Sequence, residues 1–578
     1  MRLLSRFAAG LVFLAVAAAP SAAATPSPLR LVPDSADVLV QVQHPRRLLE
    51  TVQNLDAVKK LQQFPYVQEL LDSTNGRRYY QLLAYFEKEL GAQPPELLDR
   101  LAGGGVVLAG KFGDNAPFLL VVQGKDEKLL HKFADTALDV IDQELARQDV
   151  KGRPTKTTVG DVDLIEFGDF HAAVAGSALI LSNNQATLQT SLDLYSGKSD
   201  KSMAKVASVA EAAALLPPDP LVSLWLNFDA VKQTQPYKDF YANRQDVVQT
   251  IAYGGIVDIL DRSSFVCAAL CQDKDGLLLT ARLPHGRDNM GPVSAIFTPP
   301  EGKPGCRPPL APPGVLYSES FYLDPAPFWT DRDKLFNPQT VKGIEENDKN
   351  SGRFLSGLRL SKLLTEAGPY HRIVVVDQAS AGYKTTPKTH IPAFAIVTEM
   401  RDPEAFGDNM ETVLRGAALL AQSQVKMKMT EEKYQDCTIT TYRFSEESPL
   451  KGDVNDIRFN FTPSFSRVGN QFVASSTTEL CRTLVDELQK EQQASKEPGA
   501  GTGTVRQARL VAAGAADLLK SFEDTLVTQN ILDEAVSPSE AQAQVKALVE
   551  FVRGLGEIDL EQDYAKDSFR YDLRWKTK

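Results

Sequence analysis

The chain has 578 residues, 43% hydrophobic, 24% charged and 8% aromatic. This excludes a disordered chain and leaves room for two or three domains of about 100 to 200 residues each. The formal charge of −11 falls to −13 without Arg2 and Arg6 of the N-terminal leader. That negative field repels phosphate backbones, so no nucleic-acid partner is expected.

Arg2 and Arg6 precede an apolar stretch, Phe7 to Ala19, and the small residues Ala22, Ala23 and Ala24 follow. Residues 1–24 read as a cleavable secretory signal. The stretch is shorter than the roughly 18 to 20 residues of a spanning helix, and no later segment reaches that length without charges. No transmembrane segment is expected after cleavage. The first cysteine is Cys267, which argues against a covalent lipid anchor. The expected address is extracytoplasmic, either periplasmic or secreted.

Gly105 to Lys111 has the spacing of a phosphate loop, but Phe112 replaces the hydroxyl that would hold magnesium, and the residues between are strand-forming. Phe118 to Val122 reads as a strand. Asp126 then caps an amphipathic helix running to Leu145, with Leu130, Phe133, Ala137, Leu138 and Ile141 at helical spacing. His131 on that helix reads as a surface or boundary residue, and the six histidines form no close pair. Gly160 to Ile165 and Ala178 to Ser182 continue as strands, the second before a helix around Leu188 to Leu194. Ser202 and Lys205 have the Ser-x-x-Lys spacing of penicillin-recognising enzymes, but no Lys-Thr-Gly follows. Leu221 to Lys232 is a strand running into a capped helix. Phe265 to Leu270 and Leu277 to Leu283 flank Asp273-Lys274-Asp275-Gly276, a hairpin turn without the further oxygen ligands of a calcium loop.

Five cysteines are too few, and odd in number, for a disulfide scaffold. Cys267 and Cys271 share one strand face about 13 Å apart, too far to bridge, and lack zinc-spaced companions. Buried structural thiols are expected. Whether Cys267, Cys271 and Cys306 form any disulfide is left open by the sequence.

Pro284 to Pro313 holds nine prolines and reads as a linker. Beyond it, Phe321, Tyr322, Phe328 and Trp329 are the densest aromatic cluster, with Trp329 the candidate binding residue. Gly343 to Gly352, with Glu345, Glu346 and Asp348, reads as a solvated loop; the acids suit acid–base chemistry in principle, but the chain has 74 acidic residues and chance pairs are expected. Phe394 to Thr398, Asp402 and the run to Leu420 repeat the strand and capped helix of Phe118 to Leu145 at a constant offset of 276. Gln435 to Thr440 repeats Gly160 to Ile165, with Cys437 in the place of Val162. Gln471 to Ser475 and the helix around Leu480 to Leu488 repeat Ala178 onward. Glu491 to Thr504, with Pro498 to Gly501, reads as a loose excursion. Arg509 to Lys520 repeats Leu221 to Lys232, and a hairpin of Gly556 to Gln562 and Ser568 to Trp575 closes the chain.

The expected fold is α+β, with two homologous halves, each a mainly antiparallel sheet with helices packed on one face. The expected divisions are 1–24, 25–283, 284–313 and 314–578. The opening Leu31-Val32-Pro33-Asp34-Ser35-Ala36-Asp37-Val38-Leu39-Val40-Gln41-Val42, with the repeated pattern after it, resembles a bacterial family of secreted proteins catalogued as domain of unknown function 3352. The likeness departs at Ala311 to Tyr317, where the second half lacks the Asp. The resemblance implies a non-catalytic extracytoplasmic protein and carries over no functional residues. No catalytic, cofactor or metal residue is predicted. The expected function is binding or scaffolding of a protein or small-molecule partner in the envelope. The alternatives are a carrier of an apolar ligand, or a hydrolase whose site is assembled from residues distant in sequence.

Overall fold

Helix makes up 45% and strand 27% of the computed structural model, and the strands are antiparallel, so the chain is α+β. The structure describes residues 26–577 apart from 63, 114, 150–151, 243–246, 379–380, 423, 454 and 495–503. The expected signal lies outside the described residues. So does most of the excursion expected over 491–504: the helix Thr478–Ala494 enters it and a strand begins at Thr504.

Two compact units are present. One reaches to Tyr237 and includes Ser263–Pro284; the other comprises Lys238–Arg262 and His285–Lys578. The segment Lys238–Arg262, which sequence order places in the first half, thus belongs to the second unit.

In the first unit the strands are β1 (Val38–Val42), β2 (Gly105–Gly110), β3 (Phe118–Gln123), β4 (Thr155–Val159), β5 (Val162–Phe167), β6 (Phe170–Ala175), β7 (Ala178–Ser182), β8 (Val222–Asn227), β9 (Phe265–Asp273) and β10 (Gly276–Pro284). They pair antiparallel in the order β4-β5-β6-β7-β3-β2-β1-β8-β9-β10. In the second unit they are β11 (Val315–Tyr322), β12 (Ala367–Val376), β13 (Ala393–Met400), β14 (Met427–Tyr434), β15 (Cys437–Phe444), β16 (Ser464–Val468), β17 (Gln471–Ser475), β18 (Thr504–Val511), β19 (Glu557–Tyr564) and β20 (Ser568–Lys576). Their order is β14-β15-β16-β17-β13-β12-β11-β18-β19-β20. Adding ten to each strand number of the first sheet gives the second.

The local signals sit where that order requires. Asp126 accepts the amide of Leu129 at 3.0 Å and Asp402 that of Ala405 at 3.0 Å, each opening the helix that follows β3 or β13. Val162 and Cys437 begin β5 and β15, paired with Val159 and Tyr434. One correspondence shifts: the helices after β8 and β18 begin at Phe228 and Ala512, so these junctions match four residues away from the pairing of Leu221 with Arg509.

The expectation of helices on one face is corrected. Leu120 and Val122 of β3 pack under the helix Glu127–Arg147 with Leu130 and Phe133. Leu119 and Val121, on the opposite face, pack with Leu31, Leu188 and Met203. The second sheet repeats this: Val473 lies against Leu480, Leu484 and Leu488, while Phe472 lies against Phe406. The reason is the apolar run Phe118 to Val122, which has no polar side to leave in water.

The loop expected over Gly343 to Gly352 is also corrected, because it lies largely in the helix Pro338–Ser351. Asn337 caps it through the amide of Thr340 at 2.9 Å, Pro338 opens it, and Val341 and Ile344 pack onto Phe328, Leu335 and Phe336. Within the proline-rich tract, Pro292 opens a helix to Phe297, and Leu310 joins the core of the second sheet.

Candidate functional site

A strand directs alternate side chains to opposite faces, so residues directly opposite on paired strands share one face. In the first unit this gives a row across six strands: Leu120, Leu108, Val40, Leu224, Ala268 and Ala281. Val222, Leu270 and Leu279 lie beside it. The helix Glu127–Arg147 covers the row only at its β3 end, and Leu120 is 9% exposed. From β2 onward the face is open: Leu108 is 45% and Leu279 50% exposed, and the residues between are half-buried. The other face of the same strands is closed, with Val107 and Cys267 at 0%.

The second unit has the same open face. One row runs Phe394, Val375, Tyr317, Leu510, Ile558 and Trp575, and the next runs Ile396, Ile373, Glu319, Ala508, Leu560 and Leu573. Phe394 and Ile396 are 49% and 46% exposed, whereas Val397, on the opposite face, is 1%. Contiguous apolar surface of this kind is uncommon on a soluble protein without a partner for it.

The second face differs from the first by a polar cluster at its centre, Glu319 with Tyr317 and Arg506. Glu319 is 5% exposed and stands in the row position that Val40 holds in the first unit. Its carboxylate accepts from the Tyr317 hydroxyl at 2.7 Å and from Arg506 Nε at 2.5 Å. Burial, then the hydrogen bond to Glu319, push the Tyr317 hydroxyl well above the ordinary phenol range, so it stays a donor. The opposite face of β18 to β20 is a ladder of ion pairs, Arg509 and Lys576 on Asp559 and Arg574 on Glu561.

A cavity of about 150 Å³ in the second unit is lined by Phe240, Tyr241, Tyr253, Asp258, Asp261 and Lys334, among others. It is smaller than the roughly 300 Å³ at which small-molecule sites begin, and Asp258 already accepts from Ser294 Oγ at 2.6 Å. Among the described residues, no three His, Cys, Asp or Glu side chains are grouped to hold a metal. No described helix is long and apolar enough to cross a membrane.

Trp329 lies in the short helix Pro327–Thr330, half-buried, with the Arg332 guanidinium 4.4 Å from its ring centroid. Its companions are dispersed inward: Phe321 stacks on His371, Tyr322 meets Tyr370 edge-on, and Phe328 joins Phe336. Glu345 pairs with Arg332 at 2.8 Å, and Asp348 is buried, accepting the amide of Ser361 at 2.7 Å. These acids hold helices together. Gly105–Gly110 is a strand, Ser202 bridges to Pro33, and Lys205 pairs with Asp200. His131 is half-buried against Asp163 at 2.8 Å. All five cysteines are free thiols, Cys306 half-buried and the rest buried. Sequence reasoning missed the open faces, and the only linear signal was Glu319 isolated in an apolar alternation.

No family model matches the chain, and no curated protein does. Among solved structures it is similar to crystal forms I, III and IV of TP0453, at 12%, 11% and 12% identity. These cover 46%, 47% and 45% of this chain and 81%, 85% and 81% of the other, with TM-scores of 0.23, 0.23 and 0.25.

Proposed function

We propose that this is an extracytoplasmic, non-catalytic binding protein that holds an extended apolar partner, such as an acyl chain, against its open sheet faces. The observation that carries this is the row from Leu108 to Ala281, apolar across five strands and only partly covered, and its counterpart around Ile396, apolar except at the buried Glu319. Glu319, Tyr317 and Arg506 supply the few polar groups by which such a site orients a ligand's head. The shared strand order supports an origin by internal duplication. The opening Leu31 to Val42 supports grouping the chain with the secreted family it resembles, and residues 1–24 support export.

The test is native mass spectrometry of the mature protein taken from the cell envelope without refolding. An excess mass lost on activation, and reduced in Ile396→Glu, is the expected result. A bare mass in the wild type, together with no uptake of a fluorescent fatty acid, overturns the reading.

A further inference from the structure

We infer that the second unit carries a docking site for an anionic lipid surface, where the loop after the helix Pro338–Ser351 meets the end of the helix Pro403–Gln422. It is separate from the open sheet face.

The sequence isolates two stretches by charge. Lys349 to Thr365 contains Lys349, Arg353, Arg359 and Lys362, and Thr412 to Thr430 contains Arg415, Lys426 and Lys428, with no acidic residue in either. Acids make up 74 of 578 residues, so stretches of this combined length would ordinarily hold about four or five.

The fold brings the two together. A Cβ at Gly416 would lie 1.8 Å from the Ser356 hydroxyl, so glycine at that point lets the loop lie on the helix. The loop turns there through Ser356 and Gly357, at φ 55° and 89°. Phe354 stands two residues before the contact and is 72% exposed; Leu419 and Leu420, one turn beyond Gly416, are 70% and 63% exposed. Three of the most exposed large apolar side chains in the molecule therefore gather at one place. Lys349, Arg353 and Arg359 flank Phe354 along the chain, Lys426 and Lys428 follow Leu420, and all five are exposed; among the described residues none is in an ion pair.

This combination favours a lipid surface over a protein partner. The apolar side chains protrude from a turn and a helix end, where a headgroup layer admits them among the acyl chains while the flanking cations meet phosphates. The chain as a whole is negative, so an anionic membrane favours the orientation that turns this patch towards the bilayer, and the attraction is short-ranged and salt-sensitive.

The experiment is co-sedimentation of the mature protein, without residues 1–24, with vesicles of phosphatidylcholine alone, and with vesicles in which phosphatidylglycerol replaces a third of it. Binding to the anionic vesicles at low salt, lost at high salt, is expected. The double variant Arg353→Gln with Arg359→Gln lowers the apparent affinity roughly tenfold or more and flattens the salt dependence. Phe354→Ser with Leu419→Ser weakens binding and leaves the salt dependence intact. All four side chains are exposed, so unfolding midpoints stay at the wild-type value. No sedimentation with anionic vesicles at low salt, or sedimentation unchanged in both double variants, overturns the inference. A failure here leaves ligand uptake by Ile396 and its neighbours untouched, so the two proposals fail separately.

Discussion

Arg372 and Glu491 form an ion pair at 2.9 Å in which the arginine side chain is 2% exposed and the glutamate 25%. The same guanidinium donates to Gln471 Oε1 at 2.5 Å and to the Pro308 carbonyl at 3.3 Å. It thereby joins β12, β17, the helix Thr478–Ala494 and the proline-rich tract. Burial pulls its pKa down and Glu491 opposes that.

Removing one partner of such a pair leaves a buried charge uncompensated. Glu491→Ala is expected to destabilise the second unit by about 3 kcal/mol. Arg372→Met, which removes the charge itself, is expected to cost less. Urea unfolding of both variants checks the order; a larger loss in Arg372→Met would refute it.

Ile396 and Val397 are neighbours on β13 with 46% and 1% exposure. Ile396→Glu is expected to change stability by no more than about 0.5 kcal/mol while reducing ligand uptake. Val397→Glu places a carboxylate in the core and is expected to cost about 3 kcal/mol or more. Equal destabilisation by the two would mean the Ile396 face is covered.

Asp163 is held at a pKa of about 2: burial acts to raise it, but hydrogen bonds from Thr158, Lys156 and His131 outweigh this. Its folded pKa lies below the unfolded value near 3.9, so the stabilisation is complete above that value and is lost as pH falls towards about 2. With His131 and Lys156 in partial contact with water, it amounts to about 1 kcal/mol. The urea midpoints of wild type and Asp163→Asn should differ near neutral pH and converge as pH falls below about 4. A gap that persists in acid would exclude this origin.

Burial pushes the Cys267 and Cys481 thiols up to about 12 and Cys306 to about 11. Native protein treated with iodoacetamide near pH 8 is expected to stay unmodified at Cys267 and Cys481, and to react there only in denaturant. Mass mapping of the alkylated peptides measures this.

Much of the frame was legible in sequence because it is local. Asp126 and Asp402 announce their helices by capping, Asp275-Gly276 announces a hairpin, and the apolar runs from Phe118 and Phe394 announce the strands that precede those helices. What escaped depends on coverage from elsewhere in the chain. Leu108 and Leu39 are both leucines in apolar strands, yet Leu108 is 45% exposed and Leu39 is 3%, and no local pattern distinguishes them. The helix Pro338–Ser351 was hidden by its charges, although Asn337-Pro338 is a helix start. The acid-free stretches are visible in the sequence, but their meeting at Ser356 and Gly416 is not.

The strand order also governs when each sheet can form. β1 sits at the centre of its sheet between β2 and β8, so Val40 must find both Leu108 and Leu224. Most of the first unit must therefore leave the ribosome before its central ladder can close. Pairings so distant along the chain are slow to form, and until they do, the apolar rows of the finished sheets are loose in an extended polypeptide. The arrangement that yields a broad open face in the end also prolongs the interval in which the newly made chain depends on others to keep it from aggregating.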